Sequence, residues 1–196
     1  MNPLASVSGT LLALVAVTSA DAGITTTSSL AGYQNAIAGR GYDNADFVAA
    51  SIAAASGGSG WNAWTASAPG GLYTSSGLLS TAQADAALTI SFGSGAVGAV
   101  GGTFYLTDAS HSAVLASLIE ITLDNGEIYV SESSSKNFAG FVADAGQHIS
   151  SITIKPFTAI GVEYAAVSSM VVSGVPAPGS LALLGAAGFA ARRRRR

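Results

Sequence analysis

Ile119-Glu120-Ile121-Thr122-Leu123-Asp124-Asn125-Gly126-Glu127-Ile128-Tyr129-Val130 reads as two strands and the turn between them. Ile119, Ile121 and Leu123 fall on one side of an extended chain and Glu120 and Thr122 on the other, the signature of a half-buried strand. Ile128 and Val130 resume the pattern after the turn. Asn125-Gly126 tolerates the positive φ angles of a type I′ hairpin turn, so the pair is expected to join neighbouring antiparallel strands.

The same period of two recurs outward from this hairpin. Leu88, Ile90 and Phe92 share a face opposite Thr89 and Ser91, and Phe104 and Leu106 share a face within Thr103–Thr107. Ile152 and Ile154 do the same, with Pro156 closing that strand. From Glu163 to Ser173, strict alternation places Tyr164, Ala166, Ser168, Met170 and Val172 on one face and Ala165, Val167, Ser169 and Val171 on the other. Short strands separated by glycine turns predict a mainly β fold, an antiparallel β-sandwich or jelly-roll-like domain. No repeat of fixed period marks a solenoid.

Towards the N-terminus the pattern is mixed. Ile24-Thr25-Thr26-Thr27 is β-branched and reads as an opening strand. One short helix is expected near the start of the mature chain, through the alanine-rich stretch after Asp43-Asn44, which would cap it, with Phe47, Val48 and Ile52 on its apolar side. Ser56-Gly57-Gly58-Ser59-Gly60 ends it.

The 196 residues include 24 glycines and no cysteine, so neither a disulfide framework nor thiolate chemistry is available. No Asn-x-Ser/Thr sequon is present. Five of the eight basic residues form the terminal run Arg192–Arg196; between Gly23 and Gly174 ten acids face three bases, a net charge of −7. Such a body repels nucleic acid.

The constellations that could carry chemistry are weak. Gly93-Ser94-Gly95-Ala96-Val97-Gly98 has the letters of a dinucleotide fingerprint, but Val100-Gly101-Gly102-Thr103-Phe104 returns to glycine and then strand where the motif needs a helix, so the stretch is read as a glycine-rich β connection. His111 and His148 lie far apart in sequence and no GxSxG elbow accompanies them. Asp108, Glu120, Glu127 and Glu132 offer carboxylates for glycoside hydrolysis, yet Glu120 and Glu132 are accounted for as the solvent-facing members of alternating strands. Asp43-Asn44-Ala45-Asp46 offers hard oxygen ligands without EF-hand spacing, and helix capping accounts for the same residues. No catalytic residue, metal site or cofactor is therefore assigned, and the chain is read as a non-enzyme. Trp61, Trp64 and Tyr73 remain as rings on which a sugar could stack, although Trp61 and Trp64 would point to opposite sides of a strand.

Both ends read as targeting segments. Residues 1–22 carry an apolar centre, Leu11–Val17, and a small-x-small site at Ala20-Asp21-Ala22, a signal peptide that would leave Gly23 as the first mature residue. A buried helix or strand is the alternative. Residues 175–196 fall into three parts: Val175-Pro176-Ala177-Pro178-Gly179-Ser180, an apolar run from Leu181 to Ala191, and Arg192, Arg193, Arg194, Arg195 and Arg196. Eleven apolar residues are fewer than the roughly 20 that a spanning helix uses, but arginine stems snorkel and arginines favour the cytoplasmic side.

This order resembles the PEP-CTERM sorting signal: a Pro-Glu-Pro motif, a hydrophobic helix and a basic cluster, in proteins that also carry a signal peptide. Ala177 stands where that family usually has glutamate. The resemblance implies export, a C-terminal hydrophobic helix, processing by an exosortase-like enzyme at the bacterial inner membrane, and a final place at the cell surface or in the extracellular matrix. The body, residues 23–174, is similar to the β-sandwich cargo common in that family, which brings no catalytic residues; exopolysaccharide is a possible partner.

Overall fold

The computed structural model describes residues 15–16, 23–45, 47, 53–75, 77–93, 95, 97–115, 117–144, 146–158 and 161–175. The apolar run and arginines of the tail, and all of 1–22 except Val15 and Ala16, lie outside the described residues. Among the described residues no helix is long and apolar enough to cross a membrane.

The elements are, in order, β1 (Val15–Ala16), β2 (Ile24–Thr27), α1 (Leu30–Ala36), β3 (Tyr42–Ala45), β4 (Ala55–Gly57), a 3-10 turn (Gly60–Asn62), β5 (Trp64–Ser67), β6 (Leu72–Ser75), β7 (Leu78–Thr81), β8 (Leu88–Phe92), β9 (Val97–Thr107), β10 (Leu118–Leu123), β11 (Ile128–Glu132), β12 (Phe138–Ala143), β13 (Ser151–Pro156) and β14 (Tyr164–Gly174). They form two antiparallel sheets. Sheet A runs β1-β11-β10-β13-β8-β5-β4, and sheet B runs β2-β12-β9-β14-β7-β6, with β3 also paired to β14. The fold is mainly β, as the alternating apolar positions predict.

Between the sheets lies one apolar core. Leu88, Ile90, Ile119, Ile121, Ile152 and Ile154 of sheet A meet Leu79, Leu106, Phe141, Val167 and Met170 of sheet B, all fully buried. Burial of side chains this large contributes about 1.5–3 kcal/mol each before entropy is subtracted.

The central hairpin forms with one difference. Leu118–Thr122 pairs with Ile128–Glu132, but only Gly126 takes a positive φ, 87°, while Asn125 does not. Gly126 N–H donates to Leu123 O and Leu123 N–H to Glu127 O, each at 2.9 Å. One further residue widens the loop, Asp124, Asn125 and Gly126, beyond a two-residue type I′ turn, and the Asn125 side chain instead accepts from Glu127 N–H at 3.0 Å.

The strict alternation expected from Glu163 to Ser173 breaks once. Ser168 pairs with Thr103 and Val171 with Gly101, so β14 carries one extra residue opposite β9, and Ser169 sits at φ 52°. A bulge of this kind exchanges the two faces beyond it. Ala165 and Val167 point into the core before the bulge, and Met170 and Val172 point into it afterwards. Pro156, expected to close its strand, is the last paired residue of β13, opposite Ile119.

The helix that the described residues show precedes the expected one, most of whose span, 46 and 48–52, lies outside the described residues. Asp43 and Asn44 belong to β3 and pair with Val172 and Val171; Ala55–Gly57 is strand, and Val48 and Ile52 lie outside the described residues. The helix is α1, whose start is capped by Ser29 Oγ accepting from Gly32 N–H at 3.1 Å. It packs on the outer face of sheet B through Tyr33 and Ile37, beside Ala99, Val142 and Val171. Gly101 and Gly140, opposite one another on β9 and β12, make room for it. A Cβ on Gly140 would lie 2.5 Å from both Thr27 Oγ1 and the Tyr33 ring.

Tyr33 is fully buried in that seat, and its hydroxyl donates to Val171 O at 3.3 Å. Burial pushes its phenol well above the ordinary value of 10.0, with the Arg40 charge partly opposing.

Gly140→Ala should therefore destabilise the protein by about 1–3 kcal/mol, read as a lower urea midpoint with an unchanged slope. The raised Tyr33 pKa works with a definite sign. Above pH 10 the unfolded chain ionises this phenol while the folded chain does not, so stability falls as pH rises past 10.0. Tyr33→Phe should flatten that decline in urea titrations at successive alkaline pH values.

Candidate functional site

The three rings singled out in the sequence do not converge. Trp64, on β5 of sheet A, is 4% exposed and packs edge-on against Phe47 with ring centroids 5.4 Å apart. It is a core residue. Trp61, on the 3-10 turn, is 37% exposed. Tyr73, on β6 of sheet B, alternates with the core residue Leu72 and so faces outward, where its ring lies parallel to His111 at 3.5 Å. These three residues share no common sugar-stacking face.

The two histidines likewise stay apart, although His111 N–H donates to Asp108 O at 2.9 Å within one turn. His111 follows the end of β9, with its ring also 6.2 Å from that of Tyr164. His148 stands beside the other end of β9, where Ile149 N–H donates to Val97 O. A strand of 11 residues separates them, roughly 30 Å at the usual rise. Glu120 pairs with Lys155 at 3.1 Å directly across β10 and β13 and accepts from Thr122 Oγ1. Asp108 accepts from Ser110 N–H and Ser112 N–H through one oxygen, which shapes its loop. Asp43 accepts from Asn62 Nδ2, tying β3 to the 3-10 turn. No group of three potential metal-ligating side chains occurs among the described residues.

One acid was not singled out by sequence. Glu163 is 4% exposed at the start of β14; Ser117 Oγ donates to its Oε1, and Oε2 has no hydrogen-bond partner. Three more buried polar atoms without partners, Thr81 Oγ1, Thr107 Oγ1 and His111 Nδ1, belong to this end of sheet B. Thr107 is the register partner of Tyr164. In the sequence Glu163 is an unremarkable acid before a strand, and only the pairing of β14 places it inside.

Two cavities open beside β3. The smaller, of about 230 Å³, lies between Asp43, Asn62, Gly57 and Trp64. The larger, of about 660 Å³, is a cleft on the outer face of sheet B. One wall is α1, with Leu30 and Gln34; the other is β3, with Tyr42 and Asn44; Phe138, Thr103 and the bulged Ser169 form the floor. Its volume lies within the roughly 300–1,000 Å³ usual for small-ligand sites. Tyr42 is 58% exposed and Leu30 45%, so apolar surface is open to the cleft. Sequence reading missed this site because Gln34, Tyr42, Lys136 and Ser169 come together only through pairing and helix docking.

Comparison with protein-family models, curated proteins and solved structures gives no match.

Ser117→Ala removes the one donor that the described residues give this buried carboxylate and should cost about 1–3 kcal/mol. Ser117→Ala combined with Glu163→Leu should cost less than Ser117→Ala alone, because no charge is then left unpaired. Urea unfolding of the three proteins decides it.

Proposed function

We propose that this protein is exported and sorted to the bacterial envelope by its C-terminal segment, with the β-sandwich as a displayed, non-catalytic domain. The observation that supports it is the chain order. β14 ends at Gly174, and the next residues are Val175-Pro176-Ala177-Pro178-Gly179, the apolar run and five arginines. The last described strand thus ends next to the sequence that resembles a PEP-CTERM sorting segment. An exosortase-like enzyme at the inner membrane is the proposed processing partner, and the cell surface or extracellular matrix the destination. In this reading the sandwich serves display and contact.

A second reading, carbohydrate binding, is favoured by the cleft against Tyr42 and α1. That places the contact surface away from Trp64, whose burial removes it from any ligand.

Fusing residues 175–196 to a secreted reporter tests the sorting proposal. The reporter should be held in the membrane fraction or processed, and deletion of Arg192–Arg196 should reduce its retention. A reporter that stays wholly soluble and uncleaved overturns it. Mass spectrometry of both ends of the native protein should find Gly23 as the first residue.

A further inference from the structure

We infer that the cleft between α1 and β3 binds an uncharged oligosaccharide segment. This deepens the carbohydrate-binding reading and is independent of the sorting signal.

The charge of the site selects the ligand class. Among the described lining residues the one charged side chain is Lys136. Its ammonium repels a cationic ligand. A polyanion meets one ammonium on a body of net charge −7, whose field opposes its approach. A neutral polyhydroxyl chain meets neither objection.

Its polar groups match the same ligand. The side chains of Gln34, Asn44, Thr103 and Ser169 make no hydrogen bond among the described residues, so amide and hydroxyl donors and acceptors face the cleft. Planar amides supply a donor and an acceptor side by side, which suits vicinal hydroxyls. The exposed Tyr42 ring offers a flat apolar face for the C–H face of a pyranose, at low entropy cost because only two side-chain torsions are fixed.

The site is also held in shape before any ligand arrives. α1 is pinned by Tyr33 in its glycine seat, Tyr42 stands on a strand paired to β14, and the bulge fixes Ser169. Preorganisation of this kind reduces the ordering cost of binding. Trp61 sits beside Gly41, whose added Cβ would lie 3.8 Å from its ring, and it does not line the cleft.

The test is calorimetric titration of the full chain in mild detergent with maltohexaose, cellohexaose and mannohexaose, and with hexagalacturonate as the acidic counterpart. At least one neutral hexasaccharide should bind, with an affinity that changes less than about twofold between roughly 50 and 500 mM NaCl. Tyr42→Ala should weaken that binding about tenfold and Gln34→Ala by about threefold or more, while Trp61→Ala leaves it within about twofold. Tyr42 and Gln34 are exposed, so unchanged circular dichroism is expected of both variants.

Three results overturn the inference: no binding of any neutral probe, binding confined to hexagalacturonate and abolished by salt, or neutral binding that survives Tyr42→Ala and Gln34→Ala combined. A reporter that fails to be sorted leaves this titration unaffected.

Discussion

The register of β14 constrains every layer of the sandwich. Along one side it is bonded to β9 over almost its whole length; along the other it is bonded first to β7 and then to β3. The change of neighbour and the bulge occur at the same place, since Ser168 pairs with Leu78 and Met170 with Ala45. With no extra residue there, Met170 and Val172 would face outward and Val171 and Ser173 inward, because a one-residue slip reverses a strand. Met170 and Val172 are at most 1% exposed, so the core depends on that insertion.

The outer face of sheet B follows from the same register. Beyond the bulge Val171 faces outward, where its carbonyl accepts the Tyr33 hydroxyl and its side chain joins Ile37 and Val142 under the helix. The helix is too short to roof the sheet: its seven residues span roughly 10 Å. It covers the β2 and β12 side and leaves Thr103, Ser169 and part of Phe138 open beside β3. The cleft is thus the uncovered remainder of a face whose covered part is held by a tyrosine seated over two glycines.

Much of this architecture is legible in the sequence where one period governs a whole strand. Leu88–Phe92, Ile119–Leu123 and Ile152–Ile154 each bury one face against a single core, and their alternation gives the strands directly. Legibility fails where the constraint is not local. Phe138-Ala139-Gly140-Phe141-Val142-Ala143 is apolar throughout because it packs a core on one face and a helix on the other, so no alternation marks it as β12. Asp43-Asn44 has the composition of a helix cap, yet pairing with β14 makes it strand, and an unassuming Leu30-Ala31-Gly32-Tyr33 supplies the helix. The glycines of Val97–Gly102 read as a connection although they lie in an unbroken strand; two of them serve close approach, Gly101 to Phe138 and Tyr33 and Gly102 to Phe104. For the candidate cleft the shortfall is greater: the rings among its described lining residues are Tyr42, Phe47 and Phe138, whereas the sequence offered Trp61, Trp64 and Tyr73.

The position of β14 within sheet B also bears on how the domain would carry a load. Gly174 is the last residue of a strand flanked on both sides, whereas β2 is an edge strand of the same sheet. A pull transmitted through Val175 along β14 acts parallel to the strand, so the ladders to β9 and β3 are sheared together. An edge strand pulled sideways would lose its bonds one at a time. Gly98 lets the chain leave this position closely packed, since any Cβ there would stand 2.9 Å from Val175 Cα. The segment that follows is therefore joined to a strand of sheet B that is braced on both sides.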